Sequence, residues 1–316
     1  MANQNSTGSI STQQVPPPGT LNLDHVAHFV PDRDAASAVL ENLGFTLTPF
    51  SLQSTKDAGG NAVPAGTGNR CAMFARGYLE FLTPTADTPL AAQLRTAIAR
   101  YTGHHLIAFG TPTAEEEHAR LERHGFEPLP LVNLQREVDV SGERRLTRFS
   151  VVRVRPETMP EGRVQFCQHH TPECMWQPKY LDHPNGVTGL IAAFVVADEP
   201  EEVAARFARF AGLLPFPIRG YVQLQTGLGD VFIGSGTACK ALFGEEPPAA
   251  PAMAGYALAC KDPKGLRDRL IALGCSVSEP SPDLYAASLP PEIGSAWLFG
   301  TEAACEDWLM RGCRGR

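Results

Sequence analysis

LDHVAHFVPDRDAASAVLENLGF, residues 23–45, contains the change of period that decides the fold. Its first eight residues form a mostly apolar, strand-like run, and Pro31-Asp32 then turns the chain. From there Ala36, Val39, Leu40 and Leu43 recur at helical spacing, and Gly44 stands where a left-handed residue closes a helix. The same grammar returns three times. HHLIAFG (104–110) leads through Thr111 or Thr113, either of which suits an N-cap, into AEEEHARLERHGF, with Gly125 as the stop. GLIAAFVVAD (189–198) leads into EPEEVAARFARFAGL and Gly212, and AGYALAC (254–260) into KDPKGLRDRLIALGC and Gly274.

Each helix is followed by β-rich segments: FTLTPF, NRCAMFA and GYLEFLTP in the first unit, then PLPLVNLQREVDV, RLTRFSVVRVRP and GRVQFCQ in the second. The third unit supplies RGYVQLQTG and DVFIGS, the fourth DLYAASL and SAWLFG. The repeat is therefore βαβββ, and four copies predict an α+β fold of sheets with helices on one face.

A chain of 316 residues that is 43% hydrophobic can bury a substantial core without disulfides. With 27 basic against 34 acidic residues and no basic stripe, it lacks the electrostatic footprint of a nucleic-acid binder. The polar, proline-ended residues 1–20 have neither the charged and apolar regions of a signal peptide nor a span long enough for a membrane, and read as a disordered tail of a cytoplasmic protein. The eight cysteines are scattered without CxxC pairs, as reduced thiols are; Cys71 and Cys167 fall in apolar runs and read as inert packing.

LDHVAHFVPD, GNRCAMFARGYLEFLTP, TGHHLIAFGT and GRVQFCQHHTPE, set in four βαβββ units, resemble the vicinal oxygen chelate superfamily and its glyoxalase-like proteins over roughly residues 21–301. The resemblance implies two pairs of modules, each pair a curled mixed sheet enclosing a cleft with helices outside. The expected organisation is modules 1 and 2 at 21–178, modules 3 and 4 at 187–301, and a C-terminal tail at 302–316. It also implies that metal ligands come from the first and fourth strands of paired modules. Matching the strand-to-helix openings pairs His25 with His105, and matching YLEF with RVQF pairs Glu80 with Gln165. The expected ligands are thus His25, Glu80, His105 and Gln165, with Glu80 also the catalytic base.

Imidazole, carboxylate and amide oxygen suit a divalent cation such as Zn, Ni, Co, Mn or Fe. A glutamate within Tyr-Leu-Glu-Phe-Leu also demands explanation, because a carboxylate buried beside apolar neighbours is costly unless compensated. Each of the four has an ordinary reading as well: Glu80 on a solvent face, His25 as a strand-end histidine. In the second half Ile191 and Gly255 replace the histidines and Leu298 stands near the fourth-strand position, which predicts a half without ligands. His104 is expected to be exposed or behind the ligand, and His28 to face the core or a partner.

CQHHTPECMWQP supplies a rival cluster in His169, His170 and Glu173, though Thr171-Pro172 favours a strap between halves that, with Trp176 and His183, lines the mouth of the cleft; His169, His170 and Trp176 are there expected to contact substrate. Asn69 and Arg70, after the glycine-rich stretch 57–68, are expected to contact substrate, Arg70 through a bidentate fork or else merely paired with a surface acid. The reading is a metal-dependent lyase or isomerase acting on a small molecule with adjacent oxygens. Two alternatives remain: an Fe(II) extradiol-type dioxygenase, for which His25, His105 and Glu80 would form a two-histidine, one-carboxylate set, and a metal-free binding or resistance protein. A homodimer is compatible with the duplicated architecture.

Overall fold

The computed structural model of the chain describes residues 14–56 and 59–310. Eight strands form the first sheet: β1 (Asn22–Phe29), β2 (Ser51–Lys56), β3 (Ala62–Met73), β4 (Tyr78–Pro84), β5 (Gly103–Gly110), β6 (Val132–Val140), β7 (Glu143–Arg153) and β8 (Arg163–His169). Their order is β2-β3-β4-β1-β5-β8-β7-β6, so two βαβββ modules join where β1 runs antiparallel to β5. The second sheet repeats this with β9 (Val187–Val196), β10 (Pro215–Ile218), β11 (Tyr221–Gln225), β12 (Asp230–Gly234), β13 (Ala252–Cys260), β14 (Val277–Ser281), β15 (Leu284–Ser288) and β16 (Ala296–Gly300), in the order β10-β11-β12-β9-β13-β16-β15-β14. The α+β architecture expected from the repeat is present in both halves.

The unit helices are α1 (Arg33–Asn42), α3 (Ala114–Arg123), α5 (Pro200–Ala211) and α7 (Pro263–Ala272). Asp32 caps α1 by accepting from the N–H groups of Asp34 and Ala35. Thr113 is the N-cap residue of α3, without a side-chain cap bond. The four stop glycines, 44, 125, 212 and 274, all have φ between 68° and 83°, the left-handed region that a residue with a Cβ enters only at a cost. The repeat grammar does not announce α2 (Pro89–Arg100) and α6 (Gly236–Phe243), which link the paired modules and are capped by Thr88 and Ser235.

The unit helices lie on the convex faces of the sheets, and those faces share one core: Val26, Ile107 and Phe109 of the first sheet join Leu40 and Phe207 of the helices and Tyr256, Trp297 and Phe299 of the second. His28 and His104 are fully buried at this junction; for His104 the expected exposure is corrected. His28 leaves the cleft face by plain alternation from His25, whereas His104 is turned out beside it by an extra residue in β5, where Ala27 pairs with Leu106 but His28 with His104. His28 Nδ1 donates to the Ile293 carbonyl at 2.7 Å, and its Nε2 accepts from the Tyr256 hydroxyl at 2.7 Å, which satisfies a neutral ring.

Burial pushes His28 down to about 4 and holds His104 well below its ordinary value. The folded protein thus binds fewer protons than the unfolded chain below pH 6.5, so stability rises with pH across the window from about 4 to 6.5. Denaturant unfolding at pH 7 and pH 5 is expected to show a loss approaching roughly 1.4 kcal/mol per pH unit per buried histidine. A flat profile over that window would count against neutral rings at the junction.

The two concave faces differ. In the second half the face is filled by Phe194, Phe232 and Leu298 with Phe243 of α6, and by the helix α8 (Glu302–Met310), which buries Cys305 and Leu309 and sets the Trp308 ring 6.1 Å from Phe194 and from Phe232. Residues 302–310 are therefore a packed helix rather than the expected tail. Ile191 and Leu298 belong to this apolar filling, and at Gly255 a Cβ would lie 2.4 Å from the Ala296 carbonyl oxygen, so no histidine fits there. Residues 1–13 of the expected N-terminal tail and Cys313 lie outside the described residues. Within the rest of that tail, Gln14 is buried and bonds the Ala75 carbonyl and the Gly77 N–H.

Candidate functional site

The concave face of the first sheet stays open as a cavity of about 80 Å³. Alternation along each strand decides which side chains reach it. β1 supplies His25, β4 Tyr78 and Glu80, β3 Asn69 and Cys71, and β8 Arg163, Gln165 and Cys167, while β6 and β7 add Arg136 and Arg153.

His25 is buried and stacks on Tyr78 with centroids 4.4 Å apart. Its Nδ1–H donates to Asp24 Oδ2 at 2.6 Å, which turns Nε2 toward the cavity, 3.7 Å from Glu80 Oε2. Asn69 Nδ2 donates to the other Glu80 oxygen, and Arg136 Nη1 donates to Asn69 Oδ1 at 2.8 Å. Arg153 Nε donates to Gln165 Oε1 at 3.3 Å. The carboxylate on this apolar strand is thus held by the Asn69 amide, itself anchored by Arg136, with its other oxygen turned to the histidine.

Behind His25, the Asp24 carboxylate also accepts from His169 Nε2, at 3.1 Å to each oxygen, and Cys167 Sγ lies 3.8 Å from the same nitrogen. Burial alone would raise the Asp24 carboxyl, but the charge and hydrogen bonds of His169 and His25 hold it well below its ordinary value. Burial likewise opposes a charged His169, and Asp24 and Cys167 override it, pushing the imidazole up to about 10. Asp24, Cys167 and His169 are also the group of His, Cys and acidic donors found within 4.8 Å of one another among the described residues.

His25, Glu80 and Gln165 therefore meet in one cavity, and His105 does not join them. The strand registers give the reason. Ala27 stands beside Glu80, and Ala108 beside Gln165, so Ala27 and Ala108 are equivalent in the two modules. Two residues earlier, His25 is equivalent to Leu106, not His105. A one-residue shift reverses the face of a strand, and only the register irregularity near Ala27 brings the His105 ring back toward Phe29. There it lines a neighbouring chamber, stacks on Tyr101 at 3.9 Å and donates from Nε2 to the Tyr101 carbonyl at 2.7 Å. Burial pushes it down to about 4.

Of the residues expected to touch substrate, Asn69 lines the cavity through its bond to Glu80. Arg70 alternates away and pairs with Glu41 at 2.9 Å and with the Thr48 carbonyl. His169 is buried behind His25, and His170 is exposed and bonds Ser150 Oγ at 2.7 Å. Trp176 is buried in the strap that includes α4 (Pro172–Met175) and donates to the Phe74 carbonyl at 3.1 Å. The neighbouring Met175, not Trp176, reaches the cavity.

Sequence reasoning passed over Asp24, Arg136, Arg153 and Arg163. The signal was present: an arginine inside VVRVR or GRVQF is as anomalous in an apolar strand as Glu80 in YLEFL.

The sequence profile of a family described as "Glyoxalase-like domain" matches residues 23–211, more than half of the chain. The chain belongs to this glyoxalase-like family. Among solved structures, the glyoxalase-like protein is similar to a hypothetical protein from Staphylococcus aureus, with a TM-score of 0.62 and 12% identity over 89% of this chain and 99% of that one. It is also similar to the Mn(II)-bound glyoxalase from Novosphingobium aromaticivorans, with a TM-score of 0.50 and 10% identity over 90% of this chain and 82% of the other. At these identities the likeness is one of fold. No curated protein matches the glyoxalase-like chain in sequence. No helix among its described residues is long and apolar enough to cross a membrane.

Proposed function

We propose that the protein is a glyoxalase-like enzyme of the lyase or isomerase type, acting with a divalent cation on a small molecule with adjacent oxygens. The observation that carries this reading is the pairing of His25 Nε2 and Glu80 Oε2 across the cavity at 3.7 Å, each held from behind by Asp24 or Asn69. At bond lengths of about 2.0–2.2 Å, two ligand atoms on one metal stand roughly 3–4 Å apart, so the pair fits a shared ion. Carboxylate support behind a histidine is the arrangement that fixes a ligand ring. Gln165 would add an amide oxygen, and Leu106 supplies nothing.

When bound, the ion would polarise the adjacent oxygens of the substrate as a Lewis acid. Asp24 keeps the His25 proton on Nδ1. Glu80 would be the group able to take and return a proton, at Oε2 when that oxygen is free of the ion, with Asn69 fixing its other oxygen; Gln165 accepts none. One histidine and one carboxylate among the described lining residues make a poorer match to an iron oxygenase, which draws on two histidines.

In deuterated buffer without oxygen, with Mn, Co, Ni or Zn added, the protein is expected to exchange the proton next to the carbonyl of α-hydroxycarbonyl compounds. Glu80→Gln, of nearly the same shape, should remove that exchange. A turnover that consumes oxygen would overturn the assignment in favour of a dioxygenase. Cys167→Ser should leave metal affinity within about twofold if His25 and Glu80 hold the ion; a loss on the order of the 10–100-fold typical of disrupted metal surroundings would move the ion to the Asp24, Cys167 and His169 group.

A further inference from the structure

The cavity holding His25 and Glu80 adjoins a second chamber beneath α2, lined by apolar groups that include Phe29, Leu90, Val154 and Met159. Arg153 and Arg163 line both. They stand on neighbouring antiparallel strands in a diagonal relation, since Arg153 is directly opposite Gln165 and Arg163 lies two residues before it. Such side chains share a face and come within reach of one another.

Neither guanidinium is paired with a carboxylate among the described residues. Arg153 Nε spends one bond on Gln165 Oε1, and Arg163 Nη2 spends one on Gln93 Oε1 at 3.4 Å, both neutral amides. The two linings together hold five arginines, at 100, 136, 153, 155 and 163, against one carboxylate, Glu80. This imbalance sits inside a protein whose net charge is −7. Partial burial of like charges with no counter-ion is unfavourable unless something completes it.

We infer that Arg153 and Arg163 form an oxyanion clamp at the junction of the two chambers, and that the substrate is a small organic carboxylate. Its carboxylate lies across the two guanidiniums, its adjacent oxygen faces His25 and Glu80, and its apolar body occupies the chamber under α2. The clamp names the substrate class of the site proposed above and rests on that reading for the placement of the adjacent oxygen only; the binding of the anion stands without it. A carboxylate is favoured over a phosphate by the apolar chamber on one side and the Glu80 carboxylate on the other, which a dianion would meet at greater cost.

Calorimetric titration of the full chain with phenylacetate, its neutral amide phenylacetamide and inorganic phosphate tests this. Phenylacetate is expected to bind, the amide to bind about tenfold or more weakly, and phosphate not to compete. Arg153→Gln and Arg163→Gln should each weaken phenylacetate about tenfold or more, while Arg163→Lys, which keeps the charge, should lose less. Equal binding of acid and amide, which needs no variant and so no refolding control, would overturn the clamp, as would arginine variants that bind like the parent. Phosphate binding as tight as phenylacetate would overturn the carboxylate assignment. His25→Ala should keep phenylacetate binding, so failure of the metal reading and failure of the clamp give different results.

Discussion

Asp24→Asn is expected to destabilise the protein by about 3–5 kcal/mol, the range for breaking a buried ion pair by removing one partner. Asp24 and His169 are both buried, and at pH 7 an imidazole pushed up to about 10 carries its proton. Asparagine keeps the shape and removes the charge, leaving His169 either as an uncompensated buried cation or forced to give up its proton. His169 Nδ1 already lacks a partner among the described residues, which leaves only the weak acceptor Cys167 Sγ, 3.8 Å from Nε2, beside the altered residue.

The pH dependence carries its own sign. His169 is raised above its ordinary 6.5, so its contribution is whole below pH 6.5 and drains away as pH climbs through about 10. Asp24 is depressed, so its share is present above the ordinary carboxylate value and is lost only as pH falls through the lowered one. The deficit of the variant should therefore be largest near pH 6 and shrink toward pH 10. Denaturant unfolding of both proteins at pH 6, 8 and 10 measures it, and a deficit independent of pH would mean that the pair is not ionised as described.

Glu80→Ala should lower divalent metal affinity by about two orders of magnitude or more, and Leu106→His should raise it. Loss of a supporting residue alone moves affinity about 10–100-fold, and Glu80 is one of two strong donors in the cavity. Leu106 is the second-module equivalent of His25, buried with its side chain in the cavity wall, so a histidine there completes a two-histidine, one-carboxylate set. His105→Ala is the matched control, expected to leave affinity within about twofold although a histidine is lost, because its Nε2 is committed to the Tyr101 carbonyl in the neighbouring chamber. Competition titrations with a chromophoric chelator report all three, and a larger loss for His105→Ala than for Glu80→Ala would refute the register assignment.

These expectations also mark what could be read from residues alone. The change from apolar runs to helical spacing, closed by glycine at 44, 125, 212 and 274, is local, so the four modules and their pairing into two sheets were legible. So was the oddity of Glu80, because a carboxylate among apolar neighbours is a local contradiction. His105 was not placed correctly beside His25, because the window HxxxF occurs at both openings and matching it slips the second module by one residue. Glu80 and Gln165 were matched in the register the sheets adopt, since each stands beside an alanine of the adjacent strand. The closing of the second cleft by Trp308 was hidden because α8 follows the last repeat and belongs to no module.

Sequence by itself determined the elements, since backbone conformation answers to neighbours three or four positions away, and it determined that the ligand-type residues gather in the first half. Tertiary structure decided which of them share a cavity. Register between strands some eighty residues apart is set by packing across the sheet, and because side chains alternate with period two, that single choice turned Leu106 inward, took His105 into another chamber and left Arg153 and Arg163 facing one another without an acid.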